Sequence, residues 1–166
     1  MTLHLMPKMR LKITQDFLQR IRAHGVQDYP NECCGILLGH ANGTEKEAQE
    51  VIPLKNLRLD AARAQELLPL EAPGRESERN RFLIDPLEQL RVEKDARIRK
   101  MDVLGYYHSH PDHPARPSEY DREHAWPWYS YIIVSVEQGK PTDLTSWVLS
   151  DDRSRFDAEP MEVLNT

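Results

Sequence analysis

The stretch GYYHSHPDHPARPSEYD, residues 105–121, carries His108, Ser109, His110 and Pro111, then Ser118 and Asp121. Side chains alternate along a strand, so His108 and His110 present their imidazoles to one face. Ser118 and Asp121 are three residues apart and share a face of a helical turn. If residues 111–117 fold that turn back over the strand, two neutral nitrogens and a carboxylate converge on one point. Three protein ligands with a fourth position open is the arrangement of a catalytic zinc rather than a structural one. The stretch reads as the core of a zinc hydrolase.

Each half of this pattern has a plainer explanation. A serine followed three residues later by an acid is an ordinary helix start, the serine capping and the acid favouring the helix dipole. Alternating histidines also occur on exposed strand ends. The spacing that joins the two halves makes the metal reading specific. A zinc so held lowers the pKa of its water from roughly 15.7 to roughly 7. The chemistry then needs a carboxylate to carry that water's proton to the leaving amine. Glu32 is the candidate, a charged residue standing just before an apolar run that packing alone does not explain.

Around this centre the chain reads as one domain of 166 residues, long enough to bury a core. With 22 basic and 27 acidic residues its net charge is −5, which offers neither a basic stripe for nucleic acid nor a polybasic membrane patch. The longest apolar runs are strand-sized, too short to span a bilayer, and no export signal opens the sequence. The two cysteines, Cys33 and Cys34, are neighbours and form no disulfide framework. A reducing cytoplasm is the expected compartment.

The pattern predicts strands over residues 9–13, 34–40, 47–54, 81–84, 103–108, 130–136 and 145–149. Helices are expected over 15–24 (capped by Thr14, stopped by Gly25), over 86–100 behind an Asp85 cap with Pro86 and Glu88, and over 118–125. Residues 156–164 add a possible edge strand broken by Pro160. Residues 58–80 fit no strand or long helix and read as an insertion loop, a flap beside the active-site groove. His113 and His124 stand near the motif, either as partners of the ligands or, more simply, as solvated or capping side chains. His4, His24 and His40 read as incidental. One of Cys33 and Cys34 should be buried and the other exposed. Trp126, Trp128, Tyr129 and Tyr131 read as packing rather than a ligand cage.

Taken together, Glu32 with Cys34-Gly35 and an apolar strand to Gly39, then His108-Ser109-His110-Pro111, Ser118 and Asp121, resembles the JAMM/MPN+ metalloproteases. The similarity runs over roughly residues 11–149. It is closest in Pro30-Asn31-Glu32-Cys33-Cys34-Gly35, Phe82-Leu83-Ile84-Asp85-Pro86 and residues 125–130, which look like the small bacterial members. The resemblance implies an α+β MPN fold, a curved mixed sheet flanked by helices. It implies Zn2+ on His108, His110 and Asp121, with Glu32 as general acid/base and Ser118 stabilising the oxyanion. It also implies cleavage after the C-terminal Gly-Gly of a ubiquitin-like or sulfur-carrier protein, including release of cysteine from the carrier. The 58–80 segment is longer than in compact bacterial members, which leaves the substrate open. The leaving group and the oligomeric state, monomer or homodimer, stay open too. A non-catalytic MPN scaffold is the rival, signalled by loss of a ligand or of the glutamate, and neither is lost. A zinc deaminase would need H-x-E and P-C-x-x-C, and neither is present.

Overall fold

The computed structural model describes residues 8–57, 60, 62 and 82–165. In chain order it contains β1 (Arg10–Thr14), α1 (Gln15–Asp28), β2 (Cys34–Asn42), β3 (Glu45–Leu54), α2 (Pro86–Ile98), β4 (Asp102–Pro111), α3 (Glu119–His124), β5 (Ser130–Glu137), β6 (Lys140–Leu149), β7 (Phe156–Ala158) and β8 (Met161–Leu164). The eight strands form one mixed sheet in the order β7-β6-β5-β4-β2-β3-β1-β8. Pairs β4–β5, β1–β3 and β1–β8 run parallel, and the others are antiparallel.

That order has a strong consequence. β7 and β8 are consecutive in the chain, separated by Glu159 and Pro160 alone, yet they occupy opposite edges of the sheet. Two residues span only a short distance, so the sheet has to curl until its edges meet. The seam is built by main-chain bonds: Glu159 N–H donates to Ser146 of β6 (2.8 Å), and Pro160 accepts from Leu11 of β1 (3.0 Å). The expected single edge strand over 156–164 is therefore two strands on two edges, divided where Pro160 stands.

Helix α1 fills the concave side. Thr14 caps it as expected, accepting from Phe17 N–H at 3.2 Å. Leu18 and Ile21 pack with Leu11 and Ile13 of β1, Leu37 of β2, and Ile132, Val134 and Val136 of β5. Gly25 does not end this helix, which runs on to Asp28. Its role is close approach: a Cβ there would lie 3.0 Å from Val136 and 3.3 Å from Val134. On the convex side, Cys34, Ile36, Leu38 and Leu54 meet Ala96 of α2. Both faces of β2 are thus covered, and both Cys33 and Cys34 are buried rather than one. Burial raises both thiols, Cys33 to about 12, so neither is reactive.

One further expectation changes. Residues 82–85 form no strand; they are an irregular segment leading to the Asp85 cap, whose side chain accepts from Leu87 N–H at 2.9 Å. The periodic Leu87, Leu90 and Ile98 of α2 are exposed (62%, 45% and 81%), and the helix buries Ala96 instead. The 58–80 insertion loop lies outside the described residues except at positions 60 and 62, and so does His4. Among the described residues no helix is long and apolar enough to cross a membrane.

Inside the seam, Lys46 of β3 and Glu159 form an ion pair at 3.0 Å with both side chains fully buried. Glu159 also accepts from the Ser146 hydroxyl at 2.8 Å. Breaking one side of a buried pair leaves an uncompensated charge and costs about 3–5 kcal/mol, whereas replacing both sides with apolar groups is often neutral. Lys46→Ala should therefore lower stability by about that much in urea unfolding, and Lys46→Met with Glu159→Leu should recover most of it. An unchanged urea midpoint in the single variant would show that the curl is held elsewhere.

Candidate active site

Strand β4 lies between antiparallel β2 and parallel β5. A parallel pair obliges the chain to return along the length of the strand it has just left. Residues 112–129 make that return, and they carry α3 back across the face that bears the histidines. The turn begins at Asp112, in the left-handed region at φ 56°, a conformation aspartate tolerates. Its carboxylate accepts from Gln138 N–H and from the Tyr29 hydroxyl, each at 2.8 Å. The hydroxyls of Ser135 and Thr145 donate to the carbonyls of His113 and Ala115 and tie the loop to β5 and β6.

Helix α3 starts with a complete capping box. Ser118 Oγ accepts from Asp121 N–H (3.1 Å), and Asp121 Oδ2 accepts from Ser118 N–H (2.8 Å). This fixes Asp121 against the strand. His108 Nε2 and His110 Nε2 are 3.0 Å apart, and each lies 3.4 Å from one oxygen of the Asp121 carboxylate. The three ligand atoms all fall within 4.8 Å of one another. His110 Nδ1 is 2.8 Å from the Pro114 carbonyl, so that nitrogen carries the proton and the lone pair of Nε2 points at the shared centre. The ring of His108 stacks on Phe82 with centroids 4.9 Å apart. Burial alone would raise the Asp121 carboxyl, but His108, His110 and the Ser118 amide outweigh it and hold it well below the usual carboxylate range. Two directed nitrogens and a committed carboxylate are a donor set that fits a divalent cation.

Glu32 joins this group through the register of β2 and β4. Cys34 pairs with His108, and continuing that antiparallel register places Glu32 opposite His110, on the same face. Ser109 points the other way and locks the alignment. It is fully buried, its hydroxyl accepts from Cys33 N–H (2.8 Å), and its own N–H donates to the Cys33 carbonyl (3.2 Å). Asn56 grips the other side, donating to the Glu32 carbonyl and accepting from Leu83 N–H, both at 3.0 Å. Glu32 is 5% exposed and lines a cleft of about 470 Å³ together with His110, Ser118, Asp121, Phe82 and Tyr120.

All five residues singled out in the sequence thus come together. Ser109 and Phe82 were quoted without a role, and Asn56 and Pro114 not at all, because their contribution lies in contacts across 4–76 positions of chain. His24 is not incidental: it bonds the buried Tyr107 hydroxyl (2.7 Å) and lies 3.3 Å from Asp28. His113 lines the cleft, His124 turns to the Tyr120 carbonyl, and His40 is exposed. The aromatic residues pack as expected, Tyr106 against Tyr129 and Tyr131, and Trp126 under Arg153.

Residues 14–150 match the family described as prokaryotic homologs of the JAB domain. The chain belongs to the JAB family. The match runs from the end of β1 to the end of β6, so the closing strands β7 and β8 of this JAB domain lie beyond it. A desampylase from Haloferax volcanii is 32% identical over 137 residues, covering 80% of this chain and 85% of the relative. A probable TtuB-protein conjugate cleaving protease from Thermus thermophilus is 30% identical over 127 residues, 76% of this chain and 71% of that protein. In structure, a protein from Desulfitobacterium hafniense superposes with a TM-score of 0.72 at 33% identity, covering 94% of each chain.

If Ser109 aligns the Glu32 strand with the JAB histidines, Ser109→Ala should strand the buried Cys33 N–H at a cost of about 1–3 kcal/mol. It should also lower kcat more than KM while the metal content is unchanged. Metal loss in that variant would instead place Ser109 in the support of the ligands.

Proposed function

We propose that the protein is a zinc-dependent peptidase and isopeptidase that hydrolyses the bond after the C-terminal Gly-Gly of a ubiquitin-like or sulfur-carrier protein. The observation that carries this reading is the buried Glu32 sharing one cleft with His110 and Asp121, on which His108 also converges. The relatives support the substrate class, since one is named a desampylase and the other a probable TtuB-protein conjugate cleaving protease. A non-catalytic scaffold has no need of such a set, and every member of it is present.

His108, His110 and Asp121 would hold the zinc. Bound there, it supplies an acidified water and a Lewis acid toward the scissile carbonyl. Glu32 takes the proton released as the water oxygen bonds to the terminal glycine carbon. The same carboxyl then delivers that proton to the amine as the carbon–nitrogen bond breaks, leaving a glycine carboxylate and a free amine. Ser118 serves both its cap and this chemistry: its oxygen accepts from Asp121 N–H, and its hydrogen stays available to the developing oxyanion. Phe82, Pro114 and Tyr120 form walls along which an extended tail could lie with its paired glycines at the site.

Two variants test the roles separately. Elemental analysis of protein purified without added metal should give near-stoichiometric zinc, falling sharply in His110→Ala. Full zinc in that variant would remove His110 from the ligand set. Glu32→Gln should keep zinc and melting temperature while cleavage of a carrier-protein conjugate drops by about 10²- to 10⁴-fold. Retained activity, or loss of metal or fold, would rule out the proton-carrying role.

A further inference from the structure

Glu32 stands outside the paired length of β2, which begins at Cys34. Helix α1 ends at Asp28, and Tyr29 to Asn31 make the link to Glu32, with Asn31 N–H donating to the Asp28 carbonyl at 2.8 Å. The end of that helix reaches β4 through two side-chain bonds. His24 Nδ1 meets the Tyr107 hydroxyl at 2.7 Å, and Tyr29 donates its hydroxyl to Asp112 at 2.8 Å. Tyr107 directly precedes His108, and Asp112 comes two positions after His110, so the two bonds bracket the stretch that carries both histidines. Each is firmly placed. Tyr29 packs its ring on the core beside α1. The Tyr107 ring lies across Gly35 of β2, where a Cβ would come within 2.0 Å of it. Burial raises the pKa of the Tyr107 hydroxyl, which keeps its proton and donates it. His24 Nε2 lies 3.3 Å from Asp28, which leaves Nδ1 as the acceptor.

Neither bond involves a member of the site, and Tyr107 points to the face opposite the histidines. What sets the two bonds apart is what they join: the segment that ends in Glu32 and the strand that carries His108 and His110. Ser109 and Asn56 hold the chain at and after Glu32, and a carboxylate anchored from one side alone can pivot. We propose that Tyr29, through Asp112, and Tyr107, through His24, are positioning residues that hold Glu32 from its N-terminal side at a fixed distance from the His108, His110 and Asp121 centre. A proton carrier depends on that distance, because transfer needs heavy atoms within roughly 2.6–3.2 Å of one another. A misplacement of about 1 Å is enough to cost about 10²-fold in rate. This inference rests on Glu32 being the proton carrier proposed above.

The test removes one hydroxyl at a time, in Tyr29→Phe, in Tyr107→Phe and in the double variant, each loaded with zinc. The substrate is a synthetic tail peptide whose terminal Gly-Gly is joined to the ε-amine of a lysine. In the double variant kcat should fall by about 10- to 100-fold, with the single variants between it and wild type, while KM and zinc content stay as they were. The same two substitutions made in Glu32→Gln should cost nothing further, since the residual rate no longer passes through the carboxylate. A merely structural role would lower that residual rate as well. Crystal structures of wild type and the double variant give the position of Glu32 without reference to activity, and its carboxylate should be displaced from His110 and Asp121 in the variant. An unchanged kcat in the double variant, a matching loss in the Glu32→Gln background, or a Glu32 that has not moved overturns the positioning role. If wild type leaves the peptide intact, the hydrolytic reading falls by itself, and the two crystal structures still decide whether the tyrosines hold Glu32.

Discussion

The buried Lys46–Glu159 pair is the interaction on which the curl of the sheet turns. Desolvating an ammonium and a carboxylate is expensive, and attraction within the pair offsets that cost only when the remaining hydrogen-bonding capacity is met. Here three contacts meet much of it, while Glu159 Oε2 is left to the ion pair alone. Ser146 donates to Glu159, the Trp128 carbonyl accepts from Lys46 at 2.5 Å, and the Lys46 ammonium lies 5.0 Å from the Trp128 ring centroid. Desolvation nevertheless pulls the Lys46 pKa down, with Glu159 opposing the shift. β3, β6 and the link between β7 and β8 therefore meet at a single charged point, in a position where a slipped register would leave a charge unpaired.

Trp128 connects this seam to the active site. It belongs to the segment that returns from β4 to β5, four residues after α3, and it sits in the left-handed region at φ 79°. Holding its carbonyl and ring on Lys46 anchors the far end of the return, while Asp112 anchors the near end. Between them Asp121 has little freedom, and its two oxygens divide their work. Oδ1 faces His108, whereas Oδ2 faces His110 and accepts from the Ser118 amide. One carboxylate thus caps the helix and still turns its oxygens to both histidines, so the plain reading of Ser118 and Asp121 holds and leaves room for the proposed one.

The candidate site was legible in the sequence because its information is local. His108 and His110 share a face by strand periodicity, and Ser118 and Asp121 share one by helical spacing. Glu32 stood out because an acid preceded a buried strand. What stayed hidden depends on how faces are covered. Cys33 and Cys34 are both buried because helices lie on both sides of β2, and alternation along one strand carries no record of that. Gly25 looked like a helix stop, yet its missing side chain is required by β5, a strand more than a hundred residues away. Leu87, Leu90 and Ile98 have the period of a buried stripe, but they lie away from the sheet. The division of residues 156–164 between two edges follows from closure of the whole sheet, a property of no single segment.

The same distinction separates chemistry from specificity. The groups that converge in the cleft are fixed by main-chain bonds: Glu32 through Cys33 and Asn56, His110 through Pro114, and Asp121 through its cap. Their geometry is a consequence of the fold, so a chain that keeps the curl and the return segment keeps this arrangement. Arg116 shares one of those main-chain anchors, but its charged end is free of the scaffold and faces whatever enters the cleft. The polar groups of the cleft are therefore of two kinds, those whose positions the fold dictates and those, like Arg116, whose side chains stay exposed.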